Sequence, residues 1–579
     1  MHRLWGYIVC YRARYVRGIL CLVASATLAM SIPLLLKWTI EAIQQHRPFH
    51  DVVLYVLAIV GIACVQGVAR SFSRFLVFNI GRDIEYQLRN DLFTHLQKLS
   101  LGYYQRQAIG DLMSRLVNDV TAVRLLLGLG IINILNTPLY YIYAVSAMVM
   151  MDPRLTLAAL APYPLMLLFV KRMSRQMMEK TLKVQEGLAD LSTRVQEAVS
   201  GMPVVRAYVR EDWQAAEFGR RNDIFREESM SLARVRGLFP PFMKAVSGLG
   251  LLVVLWYGGS HVIAGRLSLG DLVAFMGYLH LLAWPTMALG WLISIFQRGQ
   301  AALKRLETIF QTQPEIVDGQ GDGLARQIRG EIDFRDVDFG YRAQVNGHLV
   351  LRDINATIPA GATVAIVGRM GSGKSTLVQL LPRLFDVQNG TITVDGQDIR
   401  TCSLAALRHW VGFVPQDPFL FSTRIKENIA FALPAVDMER VRWAARVAHL
   451  DQDIADFPRG YDTVVGERGI TLSGGQKQRM TLARALLADP PILILDDALS
   501  SVDAQTEREI LRGLREATHE KTVVVISHRI SAVRDADMII VLDDGRIVET
   551  GTHTQLVARG GIYTDLFQQQ ALEEELAEL

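Results

Sequence analysis

The sequence predicts a membrane α-helical domain with six transmembrane helices, followed by an α/β domain of the P-loop type. Two observations support this division. The chain is 50% hydrophobic and 21% charged, and its apolar excess lies in the first half, in stretches long enough to cross a bilayer. The second half holds a glycine-rich motif, residues 368–376, between an apolar run and a helix-like segment. A length of 579 residues suffices for two large domains.

Six apolar stretches of about 20 residues are the candidate membrane spans. Basic residues such as Arg14, Arg82 and Arg172 precede the first span or lie on the two long connections, so the positive-inside rule predicts that both termini are cytoplasmic. Met1–Ile19 has no cleavage site of a secretory signal, and the first span is expected to remain as an anchor in a multi-pass inner-membrane protein. The predicted spans are Val16–Thr39, Val52–Phe78, Leu129–Met150, Leu155–Val170, Met243–Ile263 and Leu272–Phe296.

Composition argues against several other classes of protein. Cys10, Cys21, Cys64 and Cys402 have no metal-site spacing, and three of them lie in or near apolar spans, so they are interpreted as small buried hydrophobes. Neither a disulfide nor a cysteine metal site is predicted. The net charge of +3 is small, and no basic patch with interleaved aromatics occurs, so no nucleic-acid partner is expected.

The strongest motif is a complete G-x-x-x-x-G-K-[ST] phosphate-binding loop. Its glycines allow backbone N–H groups to turn inward around phosphates, Lys374 places a compact positive charge at the outer phosphates, and Ser375 offers a hydroxyl to Mg²⁺. A glycine-rich turn without a nucleotide is disfavoured by the flanking strand and helix patterns. ATP and Mg²⁺ are therefore the predicted ligands, and the loop consists of Gly368, Arg369, Met370, Gly371, Ser372, Gly373, Lys374, Ser375 and Thr376.

Further motifs follow in a fixed order, and residues 331–570 resemble the nucleotide domain of the ATP-binding cassette (ABC) family. The resemblance implies that Tyr341 stacks on adenine, that Gln416 meets Mg²⁺ and the attacking water, and that His528 is the switch histidine. It also rests on three short segments: Gly466–Gly469, which is similar to a contact loop of exporters, the signature Leu472–Gln476, and Ser500–Asp503, which resembles the loop joining two ATP sites.

The signature sequence has its own physical logic. Ser473 and the amides of Gly474 and Gly475 form an anion-binding nest at a helix N-terminus, followed by Gln476. In the family this nest faces the γ-phosphate held by a second nucleotide domain, and Asp503 lies in the loop between the two sites. A chain with one such domain must therefore pair with another.

Two carboxylates end the apolar run 492–495. Asp496 suits the role of holding Mg²⁺ through water. Asp497 departs from the family, which normally has Glu as the catalytic base there. Asp is shorter by one C–C bond, roughly 1.5 Å, and misplacement on that scale can cost about a hundredfold in rate. The sequence thus predicts that ATP binds at this site but turns over slowly.

An intact signature beside an altered base resembles one subunit of the bacterial heterodimeric multidrug exporters. The signature would complete the partner's ATP site, and a partner chain with Glu at the base position would supply the competent site. A homodimer with two slow sites is the alternative.

The resemblance also assigns the remaining segments. Gly110–Asp119 and Gly201–Trp213 resemble the two coupling loops that dock on nucleotide domains, although amphipathic helices packing among themselves is the plainer interpretation. The predicted domains are a transmembrane domain at 1–310, a linker at 311–330, the nucleotide domain at 331–570 and an acidic, helix-prone tail at 571–579.

Residues that meet the transported compound are harder to predict. Ionisable or amphipathic side chains inside spans usually face a bundle interior or a cavity. His280 is the first choice, followed by Tyr278, Trp284, Trp256 and Tyr257, although aromatic residues in spans are commonly structural. By their i,i+4 spacing, Lys37 and Glu41 are predicted to pair with each other.

The sequence therefore predicts ATP-driven export of hydrophobic or amphipathic compounds by one half of a heterodimer in lipid. A homodimeric lipid or lipopeptide flippase and a regulatory ATP-binding membrane subunit are the alternatives. A soluble ABC protein of translation or repair would lack the six spans.

Overall fold

The computed structural model describes residues 2–319, 328–341, 348–466, 469 and 472–578. The chain divides into two compact units. The first comprises Met1–Gln97 with Gly110–Thr312, and the second comprises Lys98–Ile109 with Gln313–Leu579. The segment Lys98–Ile109 therefore belongs with the nucleotide domain, although it lies inside the predicted transmembrane domain in sequence.

Residues 2–312 are almost entirely helical. Three π-helical turns, at Arg115–Asp119, Leu126–Gly130 and Val254–Gly258, interrupt the long helices. The α-helices of this stretch are α1 His2–Cys10, α2 Arg12–Gln44, α3 Phe49–Gln97, α4 Leu101–Arg106, α5 Ile109–Ser114, α6 Val120–Leu125, α7 Ile131–Met151, α8 Pro153–Leu160, α9 Tyr163–Ser200, α10 Met202–Ala207, α11 Glu211–Val253, α12 Gly259–Ile263 and α13 Leu269–Gln311.

Among the described residues, six continuous helical stretches are long and apolar enough to cross a membrane, which confirms the predicted six-helix class. Each predicted span falls within one of them, and most of the stretches are more than twice as long as a bilayer requires. They are Arg12–Gln44, Phe49–Gln97, Ile109–Met151, Pro153–Ser200, Glu211–Ile263 and Leu269–Gln311.

Small residues allow close helix packing in this unit. A Cβ on Gly18 of α2 would lie 2.8 Å from Cγ2 of Val77 on α3, and the Ser73 hydroxyl donates to the Gly18 carbonyl at 2.7 Å. Such contacts are typical of membrane helix pairs, where backbones approach closely. At the start of α13, Gly270 has the same role, because its Cβ would lie 2.7 Å from the Lys37 carbonyl oxygen of α2.

The predicted pairing of Lys37 with Glu41 is only a secondary contact. The Lys37 ammonium lies 2.6 Å from Oδ1 of Asp271 on α13 and 3.9 Å from Glu41. Glu41 instead accepts a hydrogen bond from Ser268 at 2.7 Å. The ion pair between Lys37 and Asp271 therefore joins α2 to α13.

Gly110–Asp119 is helical and continues into α6 and α7, so it is not a loop. Within the first unit, its charged residues bond to the end of α13: Asp119 accepts from Arg305 Nε at 2.9 Å, and Arg115 lies 3.4 Å from the Thr308 hydroxyl. Asp119 is buried at 6% exposure. The plainer interpretation of this motif, helices packing among themselves, describes what its side chains do in this unit.

The second unit is an α/β domain. Its 3₁₀ turns lie at Ala430–Ala432 and Gly460–Asp462. Its elements are β1 Ile332–Phe339, β2 Leu351–Ile358, β3 Thr363–Gly368, α14 Lys374–Leu380, β4 Asn389–Val394, β5 Gln397–Asp398, α15 Leu404–Trp410, β6 Val411–Val414, α16 Ile425–Ile429, α17 Met438–Val447, α18 Asp451–Ala455, α19 Gly474–Leu487, β7 Ile492–Asp496, α20 Ala504–Ala517, β8 Thr522–Ile526, α21 Ile530–Val533, β9 Met538–Asp543, β10 Arg546–Gly551, α22 His553–Arg559 and α23 Ile562–Glu578.

Two sheets organise this unit. A four-stranded antiparallel sheet has the order β2-β1-β4-β5, and a six-stranded sheet has the order β10-β9-β3-β8-β7-β6. In the larger sheet β9, β3, β8, β7 and β6 run parallel, and β10 is antiparallel to β9. The buried strands β7 and β8 have no exposed positions, as expected for parallel strands covered on both faces.

The strand order positions the predicted chemistry. Because the carboxyl ends of parallel strands meet at one edge of a sheet, the segments that follow β3, β8, β7 and β6 converge there. The phosphate loop follows β3, His528 follows β8, Asp496 ends β7 with Asp497 directly after it, and Gln416 follows β6. Segments far apart in the chain thus reach one edge.

Candidate functional site

The phosphate loop requires glycine at its bends. Gly373 has a φ of +100°, and a Cβ there would lie 2.8 Å from the Leu351 side chain. At Gly368, with a φ of +154°, a Cβ would overlap the carbonyl oxygen of Leu542 on the neighbouring strand β9. The loop can therefore turn tightly from β3 into α14, whose first residue is Lys374.

Lys374 points into this loop. Its Nζ donates to the carbonyl oxygens of Gly368 and Arg369, both at 2.8 Å, and its side chain is 6% exposed. Burial lowers the pKa of Lys374 below its usual range, although the carboxylates of Asp496 and Asp497 oppose this shift. A buried ammonium with carbonyl partners is already oriented for a phosphate group.

Ser375 and Asp496 form the second part of the site. The Ser375 hydroxyl donates to Oδ1 of Asp496 at 2.9 Å, and Asp496 is 1% exposed at the end of β7. Burial raises the pKa of Asp496, and the neighbouring charge of Asp497 adds to the rise, whereas the Ser375 hydrogen bond and the Lys374 charge act in the opposite direction. Two hard oxygen donors thus lie beside the phosphate loop.

These oxygen donors fit Mg²⁺. Magnesium at phosphate sites is usually bound by one or two carboxylates together with hydroxyl and phosphate oxygens, not by an all-protein cage. The Ser375 hydroxyl, the Asp496 carboxylate and the amide oxygen of Gln416 supply donors of the right kind. No group of three or more His, Cys, Asp or Glu side chains that could hold a metal occurs among the described residues.

Asp497 has an unusual backbone. Its φ is +48°, a region that non-glycine residues rarely adopt, and its N–H donates to the Ile526 carbonyl of β8 at 2.9 Å. The side chain is half-buried. This hydrogen bond fixes the start of the side chain against the sheet edge, so the reach of the carboxylate is set by its length.

The predicted catalytic residues share one cavity. Its volume is about 200 Å³, and it is lined by residues from four of the segments that end at the sheet edge. Gln416 and His528 are exposed at its rim. The lining residues include Met370, Gly371, Gly373, Lys374, Ser375, Thr376, Gln416, Asp496, Asp497 and His528.

Tyr341 lies outside that cavity. Its hydroxyl is 3.1 Å from Thr376 Oγ1, and its ring makes edge contacts with Phe339 and Phe385 at centroid distances of 5.1 and 5.2 Å. It lines a separate cavity of about 300 Å³ in the same unit. The hydroxyl contact ties this aromatic residue to the phosphate-loop helix, and stacking on adenine stays a prediction.

The second cavity includes a segment that the sequence interpretation missed. Ser100, Gly102, Gln105 and Arg106, on and around α4, line it, and Arg106 forms an ion pair with Glu315 at 2.9 Å. The signal available in the sequence was the charged, aromatic stretch of residues 98–107 that follows α3.

The signature begins a helix on the surface. Ser473 is the N-cap of α19: its hydroxyl accepts from the Gln476 N–H at 3.2 Å, and the Gln476 side chain accepts from the Ser473 N–H at 3.0 Å. Ser473 and Gly474 are exposed, and neither lines the phosphate cavity. Glu467 and Arg468 of the predicted contact loop lie outside the described residues.

Asp503 caps the next helix. Its carboxylate accepts from the Thr506 N–H at 3.0 Å, and this hydrogen bond to the backbone lowers the pKa of Asp503. Its side chain thereby fixes the end of the loop that follows Asp497.

The candidates for substrate contact occupy different environments. Tyr278 is completely buried, and its hydroxyl donates to the Met30 carbonyl at 3.0 Å, so it packs α13 against α2 and does not line a surface. Trp256 and Trp284 are 81% and 52% exposed, His280 is exposed, and Tyr257 is half-buried. Contact of these four residues with a transported compound remains a prediction.

A membrane unit joined to this nucleotide site defines a membrane-embedded P-loop ATPase. Residues 16–286 match the family described as "ABC transporter transmembrane region", and residues 351–500 match the family described as "ABC transporter". The chain belongs to the ABC transporter family, as an exporter half-transporter with a transmembrane region and an ATP-binding domain in one polypeptide.

Relatives match along almost the whole chain. A Bacillus subtilis protein named "Probable multidrug resistance ABC transporter ATP-binding/permease protein YheI" is 36% identical over 99% of this chain and 98% of its own length. The "ATP-dependent lipid A-core flippase" of Syntrophus aciditrophicus is 35% identical over 98% and 93%, and the Escherichia coli "Multidrug resistance-like ATP-binding protein MdlA" is 34% identical over 97% and 95%.

A solved structure agrees with the fold. The structure of a bacterial Atm1-family ABC exporter with ATP bound has a TM-score of 0.80, with 27% identity, and covers 97% of this chain and 98% of its own. The predicted fold class, six transmembrane helices plus an ABC nucleotide domain, is confirmed.

Proposed function

We propose that this chain is one half of a heterodimeric exporter of hydrophobic or amphipathic compounds in the cytoplasmic membrane. Its own ATP site turns over slowly, and its signature completes a competent site on a partner with Glu at the base position. The observation that carries this proposal is Asp497, a carboxylate one methylene short at the base position, fixed to the sheet edge by its N–H bond to Ile526.

The signature supports the pairing. An intact N-cap box and exposed residues Ser473 and Gly474 leave a helix N-terminus open to an anion from outside the chain. A subunit with a weakened base and an intact signature is useful only where another nucleotide domain faces it. The names of the relatives from Bacillus subtilis and Escherichia coli, both of multidrug resistance type, favour apolar drugs as the substrate class.

A homodimeric lipid flippase is the second candidate. The similarity to a lipid A-core flippase, at 35% identity over 98% of the chain, favours it. In that arrangement, Asp497 would serve as the working base in both sites, and the transported molecule would carry acyl chains.

The native mass of the complex separates these candidates. The complex is purified in mild detergent from the membranes of its own host through a tag on this chain. Two unlike chains support the heterodimer, and sequencing the second chain shows whether Glu stands at its base position. Two copies of this chain alone contradict the asymmetric proposal, and Asp497 would then be the working base in both sites.

A further inference from the structure

The loop that follows the two carboxylates, Ala498–Asp503, is here called the joining loop. It lies beside Gln478, a residue of the signature helix α19 that is 3% exposed. The side-chain nitrogen of Gln478 donates to the Ser500 hydroxyl at 2.8 Å, and its oxygen accepts from the Ser501 N–H at 2.9 Å. The same nitrogen lies 3.5 Å from the carbonyl oxygen of Asp497. Both the nitrogen and the oxygen of this amide therefore form hydrogen bonds with the joining loop.

The signature glycines contact the same loop. A Cβ on Gly475 would lie 2.8 Å from the Ser501 carbonyl oxygen, and a Cβ on Gly474 would lie 3.4 Å from the Ser501 side chain. The start of α19 and the joining loop are therefore packed backbone to backbone. A shift of one requires a shift of the other or the loss of the Gln478 bonds.

Arg529 holds the opposite side of the joining loop. It follows the switch histidine, and its guanidinium donates to the carbonyl oxygens of Val502 at 2.8 Å and Ser500 at 3.2 Å. It also forms an ion pair with Glu507, which is 2% exposed. Ser500 therefore receives a bond from the signature helix on one side and from the switch segment on the other.

We propose that Gln478 is a positioning residue that couples the two ATP sites of the assembled transporter. It fixes the signature, which acts in the partner's site, to the loop that begins at the base of this chain's own site. A buried amide cannot leave such bonds without exposing an unsatisfied donor and acceptor. The proposal rests on the pairing of two nucleotide domains, and it is independent of whether the partner is a different chain.

Two substitutions test this role in the complex purified through a tag on this chain. Gln478→Met keeps the length of the side chain and removes both bonds, whereas Gln478→Glu keeps the acceptor for the Ser501 N–H and loses the donor to Ser500. We expect kcat for ATP hydrolysis to fall about tenfold for Gln478→Met and less for Gln478→Glu. KM for ATP should stay within about twofold, because the phosphate loops are unchanged.

Thr481→Val is the matched control. Thr481 is a buried polar residue on the same helix, at 4% exposure, and its hydroxyl donates at 2.8 Å to the Gln478 carbonyl within the helix. Both hydrogen bonds of its hydroxyl, to the carbonyl oxygens of Lys477 and Gln478, stay within the helix. A loss of kcat equal to that of Gln478→Met would mean that any damage to this helix slows turnover, and would overturn the proposal.

A double-mutant cycle with Ser500→Ala gives the decisive readout. Ser500 is exposed, so this variant does not depend on repacking of a core. If Gln478 acts through Ser500, kcat of Gln478→Met/Ser500→Ala will be no lower than that of the slower single variant. Multiplying losses, or an unchanged kcat in Gln478→Met, would contradict the coupling role. A homodimer by native mass would refute the heterodimer but leave this cycle intact, because the signature would then act on the second copy.

Discussion

The phosphate loop and the signature, the two parts of the nucleotide domain suited to binding anions, differ in how much of the binding site this chain supplies. At the phosphate loop, Lys374 and Asp496 are 6% and 1% exposed, and their polar atoms have partners within the loop and the sheet edge. At the signature, Ser473 and Gly474 are exposed at the start of α19. Under the proposed pairing, the chain builds most of one ATP pocket for itself and would contribute the remaining wall of another.

The largest effect is expected where the pocket is most complete. Lys374→Ala removes a buried ammonium from the phosphate loop, and truncation of a buried charge partner should weaken ATP binding about a thousandfold at this site. Photolabelling of this chain by an azido-ATP, in competition with ATP, measures it. Lys521→Ala is the control, since Lys521 pairs with Asp489 outside the cavity. Undiminished labelling of Lys374→Ala would show that Lys374 does not contribute to ATP binding.

The base position should respond next. Asp497→Glu restores the missing methylene, and we expect turnover at this chain's site to rise by about tenfold to a hundredfold. Vanadate trapping of nucleotide on this chain reports that site separately from the partner's. Asp489→Glu is the control, because Asp489 has a similar φ of +51°. If trapping on Asp497→Glu does not increase, length is not what limits this site, and the partner's signature becomes the next candidate.

The third prediction concerns the signature, whose substitution should affect the partner's ATP site. Ser473→Ala removes a hydroxyl that can donate to a phosphate, and a bond to a charged group is large enough for about a tenfold loss of turnover. The loss should appear as reduced trapping on the partner, with labelling of this chain unchanged. Ser403→Ala is the control, because Ser403 is also an N-cap with a bond to a backbone N–H, on α15. Equal losses from both variants would show that only the helix cap matters.

The smallest expected effect is a pH dependence. Burial lowers the pKa of Lys374 below the usual lysine value of 10.5, so the charge that attracts phosphate is lost at a lower pH than in an exposed lysine. As pH rises toward the usual lysine value, ATP affinity should therefore begin to fall at a lower pH than it would with an exposed lysine. Lys374→Arg stays charged over this range and should flatten the alkaline limb. A wild-type profile that matches Lys374→Arg would mean that Lys374 does not titrate there.

The residues of the ATP site could be predicted, but their convergence could not. The phosphate loop is a contiguous motif, so its glycines, Lys374 and Ser375 together predict phosphate binding from one stretch of sequence. Gln416 and His528 are recognisable only from their order relative to the other motifs of the family. The strand order β3-β8-β7-β6 gives the physical cause, because it brings four distant segments to one edge.

Two predictions for single side chains in the membrane unit missed a partner on another helix. Lys37 was paired with Glu41 because the i,i+4 spacing is local, but Asp271 of another helix lies nearer. Tyr278 was chosen for its amphipathic character, but its hydroxyl donates a hydrogen bond to the Met30 carbonyl inside the bundle. In both cases, the outcome depended on which helix packs alongside.

The sequence by itself determined the fold class, the six spans, the phosphate loop and the signature. Each of these features depends on residues that are adjacent in the chain, so no distant contact is needed to predict it. Tertiary structure alone decided that Lys98–Ile109 belongs to the second unit, that Asp119 bonds to Arg305, and that Gln478 holds the joining loop. The physical reason is that a buried polar group takes its partner from whatever packing brings near, and that partner is set by folding across long separations in the chain.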